Sequence, residues 1–120
     1  MSKKKRDYIL FVEDIIEMIK KIERYTHGKS FEDFSIDEMA IDAVIRNFEI
    51  IGEAANNIPK GIQQKYPYVE WKEMVGFRNV IIHDYFGINL KTVWNTVKNN
   101  IPLLKEHIIK MKDEYEQANP

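Results

Sequence analysis

The chain contains no cysteine, which excludes disulfides and any zinc site built on thiolates. Glycine and proline are scarce, at 5 and 4 of 120 residues; with 44% hydrophobic and 31% charged residues this is the profile of a folded domain, not of a disordered chain. Long apolar runs are missing as well. The longest early one, Tyr8 to Val12, is stopped by Glu13 and Asp14. It is too short for a signal-peptide core or a membrane span, so no membrane partner is expected and the protein is read as cytoplasmic. A net charge of −1 lacks the basic excess of many nucleic-acid binders, so no DNA partner is expected and any nucleic-acid contact must be local. The run Lys3-Lys4-Lys5-Arg6 reads either as a phosphate contact or as a solvated tail.

What the chain does contain is helical periodicity, arranged over 1–120 as one domain able to bury about two thirds of its unfolded surface. A first helix is expected over about 6–27, stopped by Gly28. Its apolar residues cover roughly 200° of the helix wheel, so it should pack on two sides, against the chain's own core alone or also against a partner subunit. After a loop holding Phe31 and Phe34, Ser35-Ile36-Asp37-Glu38 reads as a capping box for a second helix that Pro59 ends. That helix carries a charged stripe of Glu38, Asp42, Arg46, Glu49, Glu53 and Asn56 opposite an apolar face, with Gly52 marking either a close helix approach or simple tolerance. A short turn of helix is expected over 60–66 and a third long helix over 69–83, with Asn89 capping the final helical segment. In that segment Leu90, Trp94, Val97, Ile101, Leu104, Ile108, Met111 and Tyr115 hold a heptad across Pro102, which predicts one kinked helix or two nearly collinear ones. No strand pattern competes. The fold class is all-α, an antiparallel bundle of four to five helices.

The search for chemistry is short because histidine occurs only at 27, 83 and 107. None belongs to an H-E-x-x-H or Glu-x-x-His metal pattern, so no metal and no cofactor is expected. His83-Asp84 spells a pair that metal phosphohydrolases use, but that chemistry needs further ligands. No Gly-rich phosphate loop is present, and no serine has an activating neighbour. There remains Arg78-Asn79-Val80-Ile81-Ile82-His83-Asp84-Tyr85. On an ideal helix Arg78 lies beside Trp71, Met74, Ile82 and Tyr85, an apolar face on which a guanidinium needs an anion. Asn79 and His83 share another edge with Lys72 and Gly76. Two readings stay open on spacing alone. In one, Arg78 pairs with a stripe carboxylate such as Glu49 or Glu53 while His83 ends a helix; in the other, both serve a site. Trp71 and Trp94 read as core residues or as base-stacking platforms, Tyr85 as a packing aromatic or an exposed acceptor, and Arg46 with Glu49 and Glu53 as a surface ion-pair stripe or a cleft wall.

The pattern Arg-Asn-x-x-x-His-x-Tyr, ungapped at Arg78, Asn79, His83 and Tyr85, resembles that of HEPN ribonucleases in the form found in HepT-like toxins. The segments Arg46-Asn47-Phe48-Glu49-Ile50-Ile51-Gly52-Glu53-Ala54, Val93-Trp94 and Ile101-Pro102-Leu103-Leu104 extend the likeness over nearly the whole chain. The resemblance implies a HEPN-like bundle forming a symmetric homodimer that cuts RNA without metal. Arg78 would stabilise charge on the scissile phosphate, His83 would move protons for attack by the ribose 2′-OH, and Asn79 would orient either. It further implies a toxin whose partner is a nucleotidyltransferase antitoxin that transfers AMP to Tyr85. The spacing itself poses a geometric difficulty. Five residues on an ideal helix set Arg78 and His83 roughly 140° apart, so they converge only if the helix loosens or if a substrate spans both edges in a dimer. The competing reading is a non-catalytic helical module that binds a nucleotide or docks the nucleotidyltransferase.

Overall fold

The structure, a computed structural model, describes residues 7–84 and 89–120, and of residues 79–84 the backbone alone. The secondary structure of the described residues is all helical, in the order α1 (Tyr8–Thr26), α2 (Phe31–Ser35), α3 (Glu38–Asn56), α4 (Lys60–Lys65), α5 (Trp71–Asp84), α6 (Leu90–Asn95), a π turn (Thr96–Asn100) and α7 (Ile101–Ala118), joined by short turns. This is the expected all-α class. No helix is long and apolar enough to cross a membrane among the described residues.

α1 begins where Asp7 accepts a hydrogen bond from the Ile9 N–H, and its exit runs through Gly28 at φ 72°, the left-handed conformation that favours glycine. Most of its wide apolar arc is covered from within the chain, while Leu10 is exposed. α3 packs on one side and α7 on the other, and Val12, Ile15, Ile19 and Ile22 lose all contact with solvent. Each such side chain contributes about 1.5–3 kcal/mol relative to exposure. The pairs Glu23–Lys105, Glu13–Lys112 and Tyr8–Tyr115 descend α1 as they ascend α7, so these two helices are antiparallel.

The entrance to α3 differs from the sequence expectation. The capping box is formed by Ser30 and Asp33, which starts α2 inside the stretch expected to be a loop. Asp37, not Ser35, then caps α3 by accepting from the Ala40 N–H. The S-x-x-E spacing at Ser35 is outcompeted because Ser35 is already the last residue of α2, where its hydroxyl donates to the Glu32 carbonyl. α2 exists to deliver Phe34, which is fully buried with its ring centroid 5.1 Å from that of Trp94.

At the C-terminal end the phase of the heptad holds. Trp94, Val97, Ile101, Leu104, Ile108 and Met111 are all buried. Pro102 is the second residue of α7 and has no N–H to offer the preceding turn, which widens so that the Ile101 N–H reaches back five residues to the Thr96 carbonyl. The proline is thus accommodated by a π turn between two helices.

Two groups of titrating residues predict the pH limits of the fold. Burial and the neighbouring Tyr66 push the Tyr8 phenol up to about 12, from an ordinary value of 10. Unfolded chains therefore lose this proton first, so the associated stability is intact below pH 10 and lost as pH rises towards about 12. At the acid end, backbone N–H groups hold the carboxyls of Asp33 and Asp37 below their usual value of 3.8, and that stability is lost as pH falls beneath it. Circular dichroism across both ranges should show loss of helix at each end, and Tyr8→Phe should make the alkaline limb shallower. An unchanged alkaline limb in that variant would remove Tyr8 from the account.

Candidate functional site

α5 is pinned to α3 by its first turns. Met74 is fully buried, and the Phe77 ring lies 5.0 Å from that of Phe48. Directly across from Arg78 stands Gly52 of α3, itself buried. A Cβ built there would lie 3.0 Å from the Arg78 Cβ and 3.1 Å from the Met74 carbonyl oxygen. Close helix approach, one of the two readings of Gly52, is therefore the observed one. Because both neighbours are fixed to the helix itself, Gly52→Ala should force α5 away from α3. An overpacking cost of about 1–3 kcal/mol should outweigh the gain of about 1 kcal/mol from removing a helical glycine. A thermal melt more stable than wild type would refute this.

The next residue of α3, Glu53, points outward and its Oε1 accepts a hydrogen bond of 3.0 Å from Arg78 Nη1. The anion expected beside Arg78 is thus one of the two stripe carboxylates named from spacing. The apolar face expected around Arg78 does not enclose it, since its side chain is 43% exposed. The reason is the glycine opposite, which leaves the Arg78 stem against backbone while the guanidinium reaches past it to water. In so exposed a pair the attraction is worth at most about 1 kcal/mol, so its main consequence is orientation. Described residues take one of the five guanidinium N–H donors. Of the rest of the stripe, Glu38, Asp42 and Asn56 are exposed and Glu49 is half-buried. Arg46 is exposed and forms no ion pair among the described residues.

The remaining sequence candidates are placed only in part. Asn79 and His83 lie on α5, but their side chains fall outside the described residues, and Tyr85 lies outside them altogether. The α5 backbone stays α-helical through Asp84, so by register Arg78 and His83 occupy faces roughly 140° apart. Trp71 and Trp94 are both core residues at 7% exposure, and the Trp71 indole N–H donates to the Tyr66 carbonyl at 3.0 Å. The other two histidines are accounted for, with His27 exposed at the end of α1 and His107 Nδ1 2.9 Å from the Glu70 carboxylate.

Two features are not apparent from sequence. Asn47 is buried, and its Nδ2 has no hydrogen-bond partner among the described residues. A cavity of about 320 Å³ also opens beside α5, walled by Phe48 and Phe77 and rimmed by Glu73, Thr96 and Asn100. The one signal for the cavity is Gly76, a residue without a side chain on the α5 edge that it shares with His83.

Comparison with known proteins bears directly on this helix pair. A family described as "Ribonuclease HepT-like" matches residues 15–111, from the core of α1 to the last buried turn of α7. A Thermococcus cleftensis protein named "Probable ribonuclease HepT" is 44% identical over 108 residues, covering 90% of this chain and 98% of that one. A Methanocaldococcus jannaschii protein named as a gamma-glutamylcyclotransferase and putative RNase is 41% identical over 113 residues. The match takes in 94% of this chain and spans about half, 51%, of that longer one. No solved structure matches. The matched region includes the Gly52 crossing, the Glu53–Arg78 pair and the whole of α5, and by these matches the chain belongs to the HepT-like ribonuclease family.

Proposed function

We propose that this chain is a metal-independent endoribonuclease and the toxin of a toxin-antitoxin pair. The observation that carries the proposal is Arg78, a guanidinium held in one orientation by Glu53 on an otherwise tightly packed helix pair, with donors left over for a phosphate. Family membership adds the RNA substrate. Arg78 stabilises the charge that develops on the scissile phosphate. His83, whose ordinary pKa lies near neutrality, takes the proton from the ribose 2′-OH as it attacks phosphorus, and the departing 5′-oxygen is protonated in turn. The products are a 2′,3′-cyclic phosphate and a free 5′-OH. Asn79 orients His83 or the phosphate.

Because α5 is helical through Asp84, Arg78 and His83 act on one substrate by way of a symmetric homodimer that faces two copies of the motif across a cleft. The partner is a nucleotidyltransferase antitoxin that transfers AMP to the Tyr85 hydroxyl, releasing pyrophosphate from ATP. The attached phosphate then competes with the RNA phosphate for Arg78.

The test is incubation of the purified chain with tRNA and mRNA in EDTA, followed by end-group analysis. Cleavage leaving 2′,3′-cyclic phosphates is expected, from a particle of twice the chain mass. Cleavage that EDTA abolishes and a divalent ion restores would favour the His83-Asp84 metal reading instead, and a clean monomer would remove the composite site. With the partner and ATP, adenylyl mass should appear on the Tyr85 peptide, and Tyr85→Phe should keep cutting but escape silencing. Label on Tyr66, Tyr68 or Tyr115 with Tyr85 untouched would sink that assignment. The second reading, a non-cutting binding module, is favoured by one observation. Arg78 already has an anionic partner within the chain, Glu53, as a purely structural pair would require.

A further inference from the structure

We propose that the cavity beside α5 is a nucleobase pocket that selects a base carrying an exocyclic amino group next to the cleavage point. This rests on the ribonuclease reading above and names what it recognises in its substrate. The cavity holds about 320 Å³, at the small end of ligand-binding sites, which suits one heterocycle and little more. Two of its walls are the Phe48 and Phe77 rings, which supply the apolar contact that an unstacked base seeks. Gly76 forms part of the lining, and a Cβ placed on it would meet nothing within 4 Å. A side chain at position 76 would therefore start in open space at the edge of the cavity.

The rim decides which base enters. Asn100 Nδ2 already donates to Glu73 Oε1, and the Thr96 hydroxyl already donates to the Thr92 carbonyl. With those protons engaged, the polar groups left on these lining residues are three acceptors, the Asn100 amide oxygen, the Thr96 oxygen and the second Glu73 oxygen, against one remaining Asn100 N–H. A lining with more acceptors than donors suits the exocyclic amino groups of adenine, cytosine and guanine better than uracil, which has two carbonyls and no amino group. The Glu73 carboxylate also disfavours a phosphate in the cavity, so the nucleotide must enter base first. Position fits as well. Gly76 and His83 are seven residues apart on one edge of α5, about 10 Å along the axis, which places the pocket beside the proposed proton-transfer position.

The test uses eight-nucleotide 2′-O-methyl RNAs of A, C or U. These lack the attacking hydroxyl, so binding is read apart from cutting. The full chain should bind the A and C oligomers about tenfold more tightly than U, the size of one hydrogen bond made or lost. Gly76→Leu fills the cavity and should bring the three affinities together while leaving the helical spectrum and the particle mass unchanged. Glu73→Gln replaces an acceptor with a donor and should raise affinity for U relative to A and C. Equal wild-type affinities would overturn the pocket, as would a preference that survives Gly76→Leu. A changed particle mass in Gly76→Leu would assign the cavity to a second copy of the chain and overturn it too. Cutting of ordinary RNA without base preference would leave the ribonuclease reading standing and remove the pocket. Selective binding without any cutting would do the reverse.

Discussion

Arg78→Ala should slow RNA cleavage in EDTA by about a hundred- to a thousandfold, the loss typical when one preorganised donor to a developing oxyanion is removed. The same variant should change the stability of the fold by less than about 1 kcal/mol, because its partner Glu53 is half exposed and the pair is screened by water. This combination separates the two readings of Arg78. A structural pair would show its effect in the thermal melt and none in turnover. A catalytic guanidinium shows the opposite. Arg78→Lys should recover little, since an ammonium keeps the charge but not the planar fork that both Glu53 and a phosphate engage. His83→Ala should lose a comparable factor in rate. Cleavage within threefold of wild type in Arg78→Ala would end the proposal that this residue stabilises the transition state.

The largest effect on stability is expected far from that helix, at Phe34. Phe34→Ala should cost about 3–5 kcal/mol, because the side chain is wholly buried against Trp94 and its loss leaves a cavity that rigid neighbours cannot fill. In a domain of this size the melting temperature should fall by about 10–20 °C. A fall of only a degree or two would mean that α2 is peripheral. Phe34→Leu should lose much less, since most of the buried volume remains. The result matters because α2 carries the chain between α1 and α3, and α3 in turn places Gly52 and Glu53 against α5.

Much of this architecture is legible in the sequence because it is written in local periodicity. The heptad from Leu90 to Tyr115 marks the buried face of α6 and α7 whatever else the chain does, since 3.6 residues per turn put those positions on one stripe. Gly28 ends α1 for an equally local reason, the backbone conformation it alone adopts cheaply. The local signals that mislead are those with two valid solutions. Ser30 and Ser35 both precede an acidic residue at capping distance, and only the burial of Phe34 decides which serine starts a helix.

The candidate site divides in the same way. Its motif, Arg78 to Tyr85, is a string of neighbours and can be read without coordinates. Its supports cannot, because they come from α3. No spacing rule tells that Gly52 of α3 faces Arg78, or that Glu53 rather than Glu49 or Arg46 meets an ion-pair partner. The carboxylates of the charged stripe look alike in sequence, and Glu53 is set apart only where α5 crosses it. The cavity at Gly76 is a gap between α3, α5, α6 and the π turn and has no sequence signature beyond a missing side chain. By itself, then, the sequence determined the helices, their buried faces and the order of the motif residues, all of which arise from interactions within a few turns. Tertiary structure alone decided the exposure of Arg78, the choice of Glu53 and the opening beside Gly76. Each depends on where two helices cross, and that is set by the summed packing of the whole core.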